Sequence, residues 1–359
     1  MKKLLFAAYS LDLGGIEKAL ITLTNTLQEK GYDITIVLEK KQGIFLKELN
    51  NKIKVIEYAP NESTNILKRK VVNLYKRIKF ILQYKNKFDF SACFATYSLP
   101  ASFVSRVASK NTALWVHTDY MNLYKGNEKE FKIFFDKINY NKFKHIVMVS
   151  QNARKNFIKI FPDEENKILV CNNLVNYDRI ISLSKEKIDL EKNEYITTFL
   201  NIGRHDEESK KLTRLIEATE MLAKDRLKFK VLFVGEGNDT RKYKDLVKEK
   251  NLDNYILFVG AKENPYPYFR ISDCVILTSE YEGYPVVFLE SFVLNKPIIT
   301  TKVSDYQEVE GKYGYVTTKE VEDIYEKMKL FIKEGYQIKK RFNPEKYNNE
   351  MIKKIEKIF

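Results

Sequence analysis

Thirteen short apolar, β-rich runs separated by longer stretches of helical periodicity constrain the fold of this chain most. In the first half they cover residues 4–8, 34–38, 54–58, 90–95, 113–116, 146–149 and 168–170. In the second half they cover 197–202, 230–235, 256–259, 274–277, 297–300 and 314–316. This alternation predicts an α/β fold of parallel sheets joined by crossover helices. A chain of 359 residues exceeds what one core comfortably holds. The polar, charge-rich stretch 176–193 separates two series of comparable length. Two Rossmann-like, doubly wound domains facing each other are therefore expected. Their spans are 1–175 and 196–340, with a linker at 176–195 and a C-terminal helix within 341–359 packing back on the first domain.

Ligands of such sheets sit outside the carboxyl ends of the strands. Gly14-Gly15, His117, Arg204, Gly235 and Glu282 all follow predicted strands. The most informative segment is Glu282-Gly283-Tyr284-Pro285, followed by a run beginning at Val286 and ending at Leu294. That run is too apolar for a surface helix. Glu290 in its middle needs hydrogen-bond donors to be tolerated there. Glu282, eight positions earlier, lies in the loop at the helix entrance. The pair reads as two acids converging on a polar ligand near a helix N-terminus.

Other candidates carry two readings each. Gly14-Gly15 opens a helix and suits an anion, or it is an ordinary tight turn; it lacks the Gly-x-Gly-x-x-Gly dinucleotide pattern. Gly203-Arg204, with Lys210 and Lys211 before the next helix, suits a diphosphate, or these are solvated charges. His117 can hydrogen-bond a sugar or phosphate, or it is a structural histidine. His145 starts a strand and His205 falls in a charged loop. Gly235-Glu236-Gly237 alone is a weak signal. Ser98, Ser279 and Ser304 lack a Gly-x-Ser-x-Gly elbow, and Ser150 reads as a helix cap. No His/Cys/Asp cluster has metal-ligand spacing, so neither a metal nor a cofactor is expected.

The formal net charge of +14 implies an anionic partner. Segment 68–87, from Lys68 to Lys87, holds eight Lys/Arg and no acid, with apolar residues at helical spacing. It reads either as a core-facing helix with a solvated basic side or as a helix attracted to anionic lipid. Nucleic acid is disfavoured, because no binding module accompanies the charge. The scattered Cys93, Cys171 and Cys274 suit reduced thiols in a cytoplasmic protein. The N-terminal apolar run stops at Tyr9, before Asp12 and Glu17, and reads as a strand rather than a signal peptide. No stretch approaches the ~20 apolar residues of a membrane span.

Along its whole length the sequence resembles the retaining GT-B glycosyltransferases of family 4. The most specific element is Glu-x7-Glu, here Glu282 to Glu290. Asn201-Ile-Gly-Arg-His and Leu215-Ile-Glu-Ala match the family segments around its basic residues, and counting back from Glu217 aligns Lys210 with the family lysine. Three departures stand out: one extra residue between Arg204 and Lys210, no Gly-Gly near Val303-Ser304-Asp305, and no glycine in Leu174-Val175-Asn176.

The resemblance implies a nucleotide-diphosphate sugar, most often UDP-linked, and a saccharide or lipid-linked acceptor of capsule, lipopolysaccharide or glycolipid synthesis. It implies that Arg204 and Lys210 meet charge on the leaving diphosphate, aided by backbone N–H groups from Gly283 through Val286. It gives Glu290 to the ribose, Glu282 and His117 to the donor sugar, and Gly15 and Gly203 to donor binding. Gly14 and Asp119 are expected on the acceptor side. The implied place is the cytoplasm, peripheral to the inner face of the plasma membrane. A nucleotide-sugar 2-epimerase or a sugar phosphorylase is the alternative within the same fold.

Overall fold

A computed structural model of the protein describes residues 1–12 and 14–359. The chain forms two compact units, residues 1–174 with 346–359, and residues 175–345. The first is built on seven parallel strands: β1 (Lys3–Ala8), β2 (Asp33–Leu38), β3 (Lys54–Glu57), β4 (Phe90–Cys93), β5 (Thr112–Val116), β6 (His145–Met148) and β7 (Ile168–Val170). Their order is β3-β2-β1-β4-β5-β6-β7. Helices α1 (Gly15–Glu29), α2 (Ile66–Tyr84), α3 (Leu99–Ala108), α4 (Tyr120–Leu123), α5 (Glu128–Ile138) and α6 (Gln151–Ile160) belong to this unit.

The second unit repeats the plan with β8 (Thr197–Ile202), β9 (Phe229–Val234), β10 (Ile256–Gly260), β11 (Cys274–Leu277), β12 (Ile298–Thr301) and β13 (Gly314–Thr317). Here the order is β10-β9-β8-β11-β12-β13. Its helices are α7 (Tyr177–Ser184), α8 (Leu212–Lys224), α9 (Thr240–Glu249), α10 (Tyr266–Ile271), α11 (Val286–Val293) and α12 (Val321–Glu334). All thirteen predicted runs are strands, and every pairing is parallel. Strands covered on both faces need apolar residues at successive positions, and β1, β2, β9 and β11 are buried almost throughout.

The segment expected as a linker is partly helical. Asn176 caps α7 by accepting from the Arg179 N–H at 3.2 Å, and Ile180 is buried. Asn264 then donates to the Leu183 carbonyl at 3.0 Å, fixing α7 within the second unit. The final helix, α13 (Pro344–Glu356), carries the chain back to the first unit. Met351, Ile352 and Ile355 are buried there, Asn111 Nδ2 donates to the Ile358 carbonyl at 2.7 Å, and the Phe359 and Phe90 rings lie 4.7 Å apart.

Among the described residues, no helix is long and apolar enough to cross a membrane. No group of three or more His, Cys, Asp or Glu side chains among them is placed to hold a metal ion.

Candidate functional site

In the second unit the strand order reverses between β8 and β11, which pair directly. The loops leaving their carboxyl ends thus share the crevice where open α/β sheets bind ligands. Lys210 Nζ donates to Glu282 Oε1 at 2.5 Å, and the two side chains are 25% and 14% exposed. Ser279 Oγ donates to the same oxygen at 2.8 Å. Ser304 Oγ, arriving after β12, donates to the Glu282 carbonyl at 2.6 Å. Oε1 is thus engaged twice, whereas Glu282 Oε2 accepts no bond from the described residues.

The two loops are tied together behind this pair. The Glu280 N–H donates to the Ser209 carbonyl at 2.7 Å, and Thr278 Oγ1 reaches the Lys210 and Lys211 carbonyls at 3.3 and 3.2 Å. Arg214 Nη2 binds Glu280 at 2.5 Å, and Lys319 binds the same carboxylate. Of the adjacent lysines, Lys210 points to Glu282 along Gly203, whereas Lys211 takes a left-handed backbone (φ 50°) and turns toward Glu207. Arg204 flanks the pair without joining it; it is 74% exposed, with Nη2 3.6 Å from Asp206. Burial, reinforced by Glu208, Asp206 and Glu282, pushes the Tyr281 phenol up to about 12.

Gly235-Glu236-Gly237 has a packing role in this arrangement. A Cβ on Gly235 would overlap the Gly203 carbonyl oxygen, and one on Gly237 would overlap the His205 carbonyl. Gly235 also adopts φ +146°, which disfavours any side chain. His205 lies in the charged loop after β8, but its own side chain is turned inward. It is fully buried among Phe233, Tyr243 and Phe258, with Nδ1 2.9 Å from Thr240 Oγ1, and burial lowers its pKa.

Glu290 lies on α11 at 4% exposure. The Tyr266 hydroxyl at the start of α10 donates to its Oε1 at 3.2 Å. Pro285 is the N-cap of α11 and supplies no side-chain capping bond to the first turn of the helix. Tyr284 is buried and donates to Glu308 Oε2 at 2.7 Å; burial raises the Glu308 pKa. Its hydroxyl therefore anchors the Gly283–Pro285 turn to residues beyond β12.

The remaining candidates belong to the first unit. His117 follows β5 and is buried, its ring centroid 4.4 Å from that of Phe94. Its Nε2 has no hydrogen-bond partner among the described residues, and burial pulls its pKa down to about 3, so the ring is neutral near pH 7. Gly14 is the extended N-cap of α1 and Gly15 its first residue. The Glu17 carboxylate occupies the space a Gly14 Cβ would need.

Asp119 does not suit the expected acceptor contact. It is 1% exposed and accepts from the Asn122 N–H and Nδ2, Asn152 Nδ2 and Asn156 Nδ2 at 3.2, 2.7, 2.6 and 3.0 Å. Its carboxylate joins α4 to α6. The sequence shows Ser279 and Ser304 only as serines without a nucleophile elbow and gives no sign of Tyr266, yet these are the polar partners that fix the two glutamates.

Two family models match adjacent parts of the chain, Glycosyltransferase Family 4 over residues 13–179 and Glycosyl transferases group 1 over residues 182–354. An uncharacterized glycosyltransferase of Methanocaldococcus jannaschii is 27% identical over 54% of this chain, and the match spans about half (49%) of that relative. The N-acetylgalactosamine-N,N'-diacetylbacillosaminyl-diphospho-undecaprenol 4-alpha-N-acetylgalactosaminyltransferase of Campylobacter jejuni is 25% identical over 84% of this chain and 81% of its own length. Among solved structures, Anabaena HepE in complex with UDP and glucose superposes with a TM-score of 0.78 at 17% identity, covering 99% of this chain and 100% of the other.

Proposed function

This chain belongs to the family 4 glycosyltransferases and has their GT-B fold, and from that premise we propose that it moves a hexose or N-acetylhexosamine from a UDP-sugar with retention of anomeric configuration. The proposed acceptor is a saccharide or a lipid-linked saccharide of surface polysaccharide or glycolipid synthesis. The observation that carries the reading is the Lys210–Glu282–Ser279 cluster at the crevice of the second sheet, eight residues ahead of buried Glu290. UDP and glucose bound to HepE support the donor class, and the undecaprenol-linked substrate in the Campylobacter relative's name supports the acceptor class.

Each group has a physical task in this reaction. Lys210 exchanges Glu282 for phosphate oxygens as the diphosphate arrives, and exposed Arg204 folds onto the same charge. The N–H groups at the start of α11, around Gly283 and Val286, add a fixed positive potential. These groups, rather than a metal ion, are assigned the leaving charge. Glu290 accepts from the ribose hydroxyls. Glu282, released from Lys210 but still held by Ser279, turns to the hydroxyls of the donor sugar. In the first unit, His117 has a neutral ring nitrogen suited to a sugar hydroxyl. The C1–O bond to the diphosphate breaks, the acceptor oxygen bonds C1 on the same face, and its proton passes to the leaving phosphate oxygen.

The eight cations of segment 68–87 support a position at an anionic membrane, where a lipid-linked acceptor would be presented. Thermal unfolding with UDP-glucose, UDP-N-acetylglucosamine and UDP-N-acetylgalactosamine tests the donor, since ligand binding raises Tm without an acceptor. Loss of the ribose contact in Glu290→Gln should weaken donor binding by roughly 10–100-fold, and full donor affinity in this variant would sink the site assignment. A product of inverted anomeric configuration by NMR would exclude retention. Turnover of UDP-N-acetylglucosamine without any acceptor would mark an epimerase instead.

A further inference from the structure

The apolar residues of segment 68–87 do not chiefly face the core. α2 meets its unit through Asn73, Lys76, Phe80 and Tyr84. Asn73 Oδ1 accepts from the Asn61 N–H at 2.6 Å, Lys76 Nζ donates to the Ala59 carbonyl at 2.6 Å, and Phe80 is buried against Tyr58, Tyr84 and Phe103. At ~100° per residue these positions share one side of the helix. On the opposite side Leu67, Val71, Leu74, Tyr75, Ile78 and Leu82 form a continuous stripe, with exposures from 48% at Ile78 to 79% at Leu82. Lys68 and Lys79 border it along one edge and Lys70 along the other, all three exposed, whereas the Arg77 guanidinium turns back over the Phe103 ring at 5.4 Å.

Six adjacent outward apolar side chains call for an apolar phase to cover them, and the charge pattern selects which. Pairing two copies of α2 would bring like charges together along both edges, because segment 68–87 has no acid to offset them. An anionic bilayer supplies phosphates at the edges and hydrocarbon at the centre. We infer that α2 lies in the plane of an anionic bilayer, with this stripe in the acyl boundary and the bordering cations at head-group phosphates. The inference rests on the membrane position in the proposed function and adds hydrocarbon insertion to it.

Flotation of the full chain with phosphatidylcholine vesicles, with and without phosphatidylglycerol, at low and high salt, tests it. The wild type should float with the anionic vesicles and keep part of its binding at high salt. The double variant Leu74→Ser/Ile78→Ser should lose ~10-fold or more of that partitioning, with Tm unchanged because both side chains face outward. Tryptophan emission from Tyr75→Trp should shift to the blue on vesicle addition. If the wild type does not float at all, the membrane position and the insertion both fall. Binding that salt abolishes and the serine variant retains would overturn insertion while leaving electrostatic attachment standing. A wild-type dimer that the serine variant converts to monomer would assign the stripe to a second copy and overturn the inference.

Discussion

His117 makes the fold pH-dependent, because its buried ring resists protonation that an unfolded chain accepts. Above its ordinary pKa of 6.5 the ring is neutral in both states and contributes no slope. As pH falls from 6.5 toward about 3, the unfolded chain takes up a proton that the folded one refuses. Stability should drop by up to about 1.4 kcal/mol per pH unit across that window. His117→Asn should flatten that part of the profile; urea midpoints with equal slopes for both proteins between pH 7 and pH 4 would contradict it. At Lys210, replacement by Met should lower turnover of a nucleotide sugar by roughly 100–1000-fold, and the same change at Lys211 should do far less. Comparable losses at both positions would refute the division between them. Removing Asp119 should act on stability instead. Asp119→Ala strands three asparagine amides and should cost about 2–4 kcal/mol by urea unfolding, with donor affinity unchanged. These roles differ in how far the sequence discloses them. Glu290 stands out because a carboxylate inside an apolar run is anomalous. Ser279, Ser304 and Tyr266 are ordinary residue types whose partners come from other strand ends, so only the folded chain distinguishes them. Asp119 misleads for the same reason, since Asn152 and Asn156 reach it from a distant helix.

At the level of elements, the strands were legible because burial on both faces leaves an uninterrupted apolar run that few other structures need. Helix α7 was not, because only one side of a short helix is covered and its polar residues outnumber the buried ones. The amphipathic pattern of α2 was legible in period but not in direction. Periodicity gives the face and says nothing about which side meets the protein. Gly-x-Gly after β9 was passed over as too common a pattern, yet it sets how closely the β8 and β9 loops approach. Two substitutions separate conformational strain from crowding. Gly31→Ala changes a residue at φ +90° with open space around it, and should cost about 1 kcal/mol. Gly235→Ala meets both an unfavourable φ and the Gly203 carbonyl, and should cost about 2–4 kcal/mol. Calorimetry that finds equal shifts in Tm for the two variants would show that the carbonyl is not crowded.

For the whole molecule, the first unit is discontinuous in sequence, its last part arriving through α13. Deleting residues 346–359 removes the buried side chains of Met351, Ile352, Ile355 and Ile358. Limited proteolysis of the shortened chain should cut within residues 1–174 first and leave 175–345 protected; equal protection of both would deny α13 a part in the first core. The same topology fixes an order of events during synthesis. Residues 1–174 leave the ribosome first but stay incomplete until the final helix emerges, roughly 10–40 s later at ~5–20 residues per second. The second unit, continuous from 175 to 345, has all its sequence available before the first does. Nascent-chain quality control therefore meets a leading domain complete but for its last helix, with the apolar surface that Met351, Ile352, Ile355 and Ile358 cover left open until synthesis is nearly over.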